Sequence, residues 1–81
     1  MMNAKQLLRE SISKGDLTLG QAVREMRKIT GMNQKDYARN IIGISTRVLA
    51  EIERDVANPT VDTLNKVGRP FGYHINFVHK N

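Results

Sequence analysis

Between positions 45 and 55, polar and apolar side chains alternate at the spacing of a helix. Thr46, Arg47, Glu51 and Arg54 would lie on one face of that helix, and apolar residues on the other. An outward arginine can donate two hydrogen bonds to the O6 and N7 atoms of guanine, and a glutamate can accept one from the N4 amine of cytosine. The segment therefore predicts a helix that reads base pairs in a DNA major groove.

Each of these side chains also has a purely structural interpretation. Arg47 stands four residues before Glu51, where an exposed ion pair would contribute only about 0.3–0.5 kcal/mol. We interpret Arg47 as a base or phosphate contact and keep the ion pair as the alternative. Further basic residues could contact phosphate or belong to solvated helix faces: Lys35, Arg39, Arg54, Lys66 and Arg69.

A shorter helix and a tight turn are predicted just before this segment. Asn33 can cap that helix, Gly43 permits the turn, and Ser45 can cap the second helix. Their inward faces are predicted to be Tyr37, Ala38 and Ile41 in the first helix, and Val48, Leu49 and Ile52 in the second. Helices joined this tightly cross steeply, which leaves the second one free to enter a groove. The candidate DNA-binding residues are Asn33, Gln34, Lys35, Ser45, Thr46, Arg47, Ala50, Glu51, Arg54 and Asn58.

Three more helices are predicted around this pair. Residues 4–12 carry an apolar strip that ends at Lys14 and Gly15. Thr18 can cap a helix with apolar residues at positions 19, 22, 23, 26 and 29, and Met32 is expected to fill the core after it. Thr60 can cap a last helix over residues 61–67, in which Val61, Leu64 and Val67 share the inward face. A glycine and a proline end this helix.

The end of the chain has the pattern of a strand. Residues 73–79 read YHINFVH and are rich in β-branched and aromatic side chains. A lone strand needs a partner, and no second strand pattern occurs in this chain. We therefore expect pairing with the same segment of another subunit, with Tyr73, Ile75 and Phe77 in the dimer contact.

Length and composition fit one small domain. The 81 residues are 40% apolar, near the lower limit for a self-sufficient core, so dimerisation would add stability. We divide the domain, residues 1–81, into an accessory helix (1–15), a core (18–71) and the strand (72–80). Thirteen basic and eight acidic residues give a net charge of +5, which fits a polyanionic partner.

No pattern for catalysis, a cofactor or a metal stands out. Without cysteine there can be neither disulfides nor thiolate ligands. His74 and His79 would face opposite sides of an extended strand, with no acidic cluster near them. The serines have no evident histidine base, and no glycine-rich phosphate loop occurs. We expect a protein that is not an enzyme and that, lacking a signal segment or a membrane span, is cytoplasmic.

The chain resembles the Xre/Cro-type helix-turn-helix family over about residues 18–68. The residues that carry the resemblance are Gln34, Ala38, the turn Gly43-Ile44-Ser45, the helix end Ile52-Glu53-Arg54, and Asn58-Pro59-Thr60. Two features depart from the family pattern. Four residues, 39–42, separate Ala38 from Gly43 where the family usually has three, and residues 68–72 end the last helix early.

The resemblance implies a mainly α, lambda-repressor-like five-helix domain. It also implies an ion pair between Glu53 and Arg27, and a terminal strand like that of dimeric antitoxins that restrain kinase-like toxins. The expected function is a sequence-specific DNA-binding repressor, a homodimer on a palindromic operator whose recognition helices, residues 46–54, enter successive major grooves. It would act alone or as the antitoxin of a toxin pair. The alternative is a protein-interaction module that neutralises a toxin chain, with DNA binding secondary.

Overall fold

The computed structural model describes residues 2–77, and the predicted five-helix architecture is confirmed there. Helix α3 consists of one α-helical turn followed by a π-helix, and a 3-10 turn follows α5. The bounds are α1 Ala4–Lys14, α2 Leu19–Thr30, α3 Gln34–Asp36 with the π-helix Tyr37–Ile42, α4 Thr46–Glu53, α5 Val61–Gly68 and the 3-10 turn Arg69–Phe71.

The helices begin and end where local side-chain chemistry predicts. The four predicted caps each accept a hydrogen bond from the amide three residues on: Thr18 from Gln21 at 3.1 Å, Asn33 from Asp36 at 2.8 Å, Ser45 from Val48 at 3.1 Å and Thr60 from Thr63 at 3.1 Å. Asn3 caps α1 in the same way. Gly43 has a φ of 86°, a left-handed conformation that side chains resist, which confirms its role in the turn.

The extra residue between Ala38 and Gly43 is absorbed by the π-helix. The Gly43 amide donates to the Ala38 carbonyl over 2.7 Å, five residues back instead of four. The wider turn moves Ile41 outward, to 40% exposure, and places Ile42 in the core at 8%. The prediction that Ile41 faces inward was therefore wrong, because it assumed α-helical spacing throughout.

Deleting Ile41 should convert the π-helix into an ordinary α-helix. Tyr37 and Ile42 would then stand four positions apart and Ala38 and Ile42 three, which are neighbours on one α-helical face. We expect the variant to fold, with a free energy of unfolding within about 1 kcal/mol of wild type, measured by urea denaturation. Deletion of the exposed Arg24 from α2 is the control, because it rotates Met26 out of the core. Unfolding by both deletions would contradict this account of the π-helix.

One hydrophobic cluster joins α2, α3, α4 and α5. It consists of Val23, Tyr37, Ala38, Ile42, Leu49, Ile52 and Val67, with Met32, Ile44, Ala57 and Phe71 packed against it. At Gly20 the start of α2 lies against the end of α4 so closely that an added Cβ would be 2.5 Å from the Ile52 carbonyl oxygen. The absence of a side chain there sets how near α4 lies to α2.

Three residues predicted to face inward are exposed at their helix starts. Leu19 is 46% exposed, Val48 38% and Val61 60%. Each lies in the first turn of its helix, and the core is filled instead by later residues of the same helix: Val23 in α2, Leu49 and Ile52 in α4, and Val67 in α5. Val48 thereby joins the surface of α4.

The predicted terminal strand is not confirmed in the described residues, because residues 73–77 form neither helix nor strand. The Tyr73 amide donates to the Gly68 carbonyl over 3.0 Å, and the Ile75 amide donates to Oδ1 of Asn65 over 2.8 Å. Val78 and His79 lie outside the described residues. Among residues 2–77, no helix combines the length and the apolar character needed to cross a membrane.

Candidate nucleic-acid interface

A partly buried ion-pair network fixes α4 relative to α2 and α3. Nε and Nη2 of Arg27 donate to the two carboxylate oxygens of Glu53 over 2.8 and 3.0 Å, and Nη1 donates to the Met32 carbonyl over 3.1 Å. Gln34, the first residue of α3, donates its amide to Oε1 of Glu53 over 3.1 Å. The ion pair implied by the resemblance is thus present, and together with Gln34 it ties α2 and α3 to the last residue of α4.

The network holds Glu53 in its charged form. Burial alone would raise the pKa of Glu53, but hydrogen bonds from Arg27 and Gln34 outweigh it, so the pKa lies below its ordinary value. Tyr37 is fully buried nearby. Burial, reinforced by the charge of Glu53, raises the pKa of Tyr37, so this phenol stays neutral.

A second clamp, which the sequence did not reveal, joins the end of α4 to the start of α2. Asp55 accepts the Thr18 hydroxyl at 2.6 Å and the Gly20 amide at 2.8 Å. These two hydrogen bonds lower the pKa of Asp55. Asp55 has a φ of 58°, a conformation that is uncommon outside glycine and to which aspartate is better suited than most residues. Together with Glu53 it anchors α4 at its C-terminal end.

The outer face of α4 is the one predicted. Arg47 and Arg54 are exposed, and Thr46, Ala50 and Glu51 are half-buried, whereas Leu49 and Ile52 on the inner face are 0% and 2% exposed. Before this helix, Asn33, Lys35 and Ser45 are exposed. The structure therefore leaves the predicted base contacts of α4 accessible, while Leu49 and Ile52 of the same helix fill the core.

Three of the predicted DNA-binding residues, Gln34, Arg47 and Glu51, already have side-chain partners within residues 2–77. Nε of Arg47 donates to Oε1 of Glu51 over 2.9 Å, so the predicted ion pair exists, with the Arg47 side chain 89% exposed. The Gln34 amide donates to Glu53, which leaves its second N–H available.

Cations without a counter-charge flank α4. Within residues 2–77, Lys35 and Arg39 of α3 and Arg54 after α4 form no ion pair, and neither do Lys5, Arg9, Arg24 and Arg69 elsewhere in the domain. Lys14, Lys28 and Lys66 pair with Glu10, Glu25 and Asp62. Unpaired cations on either side of a groove-sized helix are the arrangement that phosphate backbones bind.

A groove of about 280 Å³ lies between the outer face of α4 and the start of α5. Its lining residues are Val48, Glu51, Ala57, Asn58, Pro59, Thr60 and Thr63. Two of the predicted DNA-binding residues, Glu51 and Asn58, line this groove. The lining also includes Val48, which was predicted to face the core, and Thr63, which the sequence pattern had not singled out.

Comparison with known proteins agrees with this geometry. The family described as helix-turn-helix matches residues 23–78, and its members are DNA-binding regulatory domains. No curated protein and no solved structure matches the chain. The match spans more than half of the 81 residues, including the α3–α4 pair and the network around Glu53. The chain therefore belongs to the Xre/Cro-type helix-turn-helix family.

Proposed function

We propose that the protein is a cytoplasmic transcriptional repressor that binds a palindromic operator as a homodimer. The observation that carries the proposal is the outer face of α4, which presents donors and acceptors to a groove while Glu53 and Asp55 fix the C-terminal end of the helix. Hydrogen bonds to base edges require a rigid helix, because each bidentate contact depends on sub-ångström placement.

In this proposal the named residues divide into two roles. Thr46, Arg47, Ala50 and Glu51 contact base edges. The phosphate contacts come from the helix ends and from unpaired cations: Asn33, Gln34, Lys35, Ser45, Arg54 and Asn58. The caps support this division, since a helix start is a favourable place for an anion and α3, α4 and α5 all begin near this surface.

The homodimer supplies the second recognition helix. Two copies related by a two-fold axis would place their α4 helices about 34 Å apart, in successive major grooves. The Tyr73–Phe77 segment supports this pairing, because Ile75 and Phe77 are 43% and 100% exposed, although Tyr73 is half-buried. Pairing between copies would cover Ile75 and Phe77.

DNA binding should weaken steeply with added salt, because phosphate contacts release counterions. Replacing Lys35 or Arg54 with alanine should each reduce the slope of log affinity against log salt by about one. These slopes can be measured by fluorescence anisotropy with a labelled duplex, at salt concentrations from about 50 to about 200 mM.

Lys14→Ala is the matched control, because it removes the same charge from a cation that is already paired with Glu10. Its slope should equal that of wild type. A wild-type affinity indifferent to salt, or an equal change of slope in all three variants, would contradict the assignment of Lys35 and Arg54 to phosphate.

A second role as the antitoxin of a kinase-like toxin has support from a different surface. Helices α1 and α2 leave an open groove of about 300 Å³, lined mainly by apolar residues: Ala4, Leu7, Leu8, Ser11, Leu17, Glu25 and Ile29. Leu7 is 54% exposed there. A protein whose main act is to bind a toxin, with DNA binding secondary, would use this groove. Leu7→Glu would then abolish toxin binding and leave DNA binding intact.

A further inference from the structure

Arg47 can form an ion pair with Glu51 and contact a base at the same time, as the geometry of the pair shows. Nε of Arg47 is bound to Oε1 of Glu51, and neither terminal nitrogen of Arg47 has a hydrogen-bond partner within residues 2–77. We propose that Glu51 is a positioning residue, which holds Arg47 for end-on recognition of one guanine in each operator half-site. This inference rests on the proposed function and names the base that the site selects.

The chemistry of the guanidinium explains why one hydrogen bond to Glu51 is enough to orient Arg47 for guanine. Arginine carries five N–H donors in a planar fork. With Nε occupied by Glu51, the remaining donors are the two terminal nitrogens, whose parallel N–H bonds match the O6 and N7 acceptors of guanine. The side chain is 89% exposed, and the bond to Glu51 is its only hydrogen bond among residues 2–77. The hydrogen bond to Glu51 therefore removes part of the rotamer entropy that guanine binding would otherwise cost.

The charge of Glu51 acts in the same direction. A carboxylate on a surface that meets DNA repels phosphates, so it weakens binding to random sequences. On a matching sequence the guanine contact compensates for that repulsion. Glu51 thus increases the ratio of specific to non-specific affinity in two ways. It orients Arg47, and it opposes binding where no guanine is present. Its second oxygen stays available to the N4 amine of cytosine.

The test uses the full-length chain and a duplex selected by it from a random library. Each guanine of the duplex is replaced in turn with 7-deazaguanine, which lacks the N7 acceptor. For wild type we expect about a tenfold loss of affinity at one guanine per half-site, the lower part of the range for a lost bidentate contact. Arg47→Ala should abolish that discrimination.

Glu51→Ala and Glu51→Gln separate positioning from charge. In Glu51→Ala, discrimination at that guanine should fall to about threefold or less, while affinity for random duplex stays equal or increases. Glu51→Gln should retain the discrimination, because its amide oxygen still accepts from Nε. Circular dichroism checks that both variants are folded, which is expected because Glu51 is only half-buried and lies outside the core cluster.

Two results would overturn the inference about Glu51 without contradicting the proposed function. If Glu51→Ala keeps the tenfold discrimination, Glu51 does not position Arg47. If Glu51→Gln loses it as fully as alanine does, charge and not the hydrogen bond is responsible. A wild-type chain that selects no sequence at all would overturn this inference together with the proposed function.

Discussion

Replacing Phe77 with glutamate should turn the protein into a folded monomer that binds its operator about 100-fold or more weakly. Phe77 is 100% exposed in the single chain, so the substitution removes no contact within residues 2–77. In the proposed dimer the same ring is covered by the partner, and a buried carboxylate there would separate the subunits. A monomer loses the second set of groove contacts and with it the effective concentration that links them. Sedimentation velocity and operator binding measure the two effects.

Asn76→Glu is the matched control for this prediction. It makes the same change of charge one position earlier, on a side chain that would face away from Phe77 in an extended segment. This variant should remain dimeric. A wild-type chain that sediments as a monomer at micromolar concentration, or a dimeric Phe77→Glu chain, would show that the segment does not make the dimer; edge pairing with a toxin chain would then be its most direct use.

Removing Arg27 should destabilise the domain by about 3–5 kcal/mol, because Glu53 would be left charged with only 4% of its side chain exposed. For a domain of this size such a loss lowers Tm by more than about 10 °C. Arg47→Ala provides a close comparison. It breaks an arginine–glutamate contact of nearly the same length, 2.9 against 2.8 Å, on the exposed face of α4, and should cost at most about 1 kcal/mol. Equal losses in thermal melts would refute the structural role given to burial.

The same pair predicts an acid limb in the stability curve. Because the pKa of Glu53 is lowered on folding, its contribution is fully present above the ordinary glutamate value of 4.5 and is lost as pH falls below it through the folded pKa. Chemical denaturation measures the free energy of unfolding between about pH 3 and pH 7. In Glu53→Gln this free energy should decrease less toward low pH than it does in wild type. If the loss of stability at low pH is the same in Glu53→Gln as in wild type, other carboxylates are responsible for it.

The sequence sufficed wherever structure depends on residues close together in the chain. The caps Thr18, Asn33, Ser45 and Thr60 and the turn at Gly43 act over three or four positions, so their chemistry could be recognised directly. The inner face of α4 followed from the spacing of Leu49 and Ile52. The family resemblance added the Arg27–Glu53 pair, which spacing alone does not predict.

The features that were missed depend on geometry that a repeat of 3.6 residues does not contain. The π-helix buries Ile42 in place of Ile41. In residues 39–42 the only sign of a π-helix is the number of positions before Gly43. The clamp of Asp55 on Thr18 and Gly20 joins residues 35 and 37 positions apart. Val48 became part of the groove because the loop after α4 folds back beside it.

Selection from a random duplex library, followed by competition at physiological salt, tests the central claim most directly. The account predicts that the wild-type chain selects a palindrome with half-site centres about one helical turn apart, and binds it about 1,000-fold more tightly than a shuffled duplex of the same composition. Combined substitution of Thr46, Arg47 and Glu51 by alanine should remove that preference and leave the fold intact. Equal affinity of the wild-type chain for both duplexes, or an unchanged preference in the triple variant, would contradict recognition through the outer face of α4.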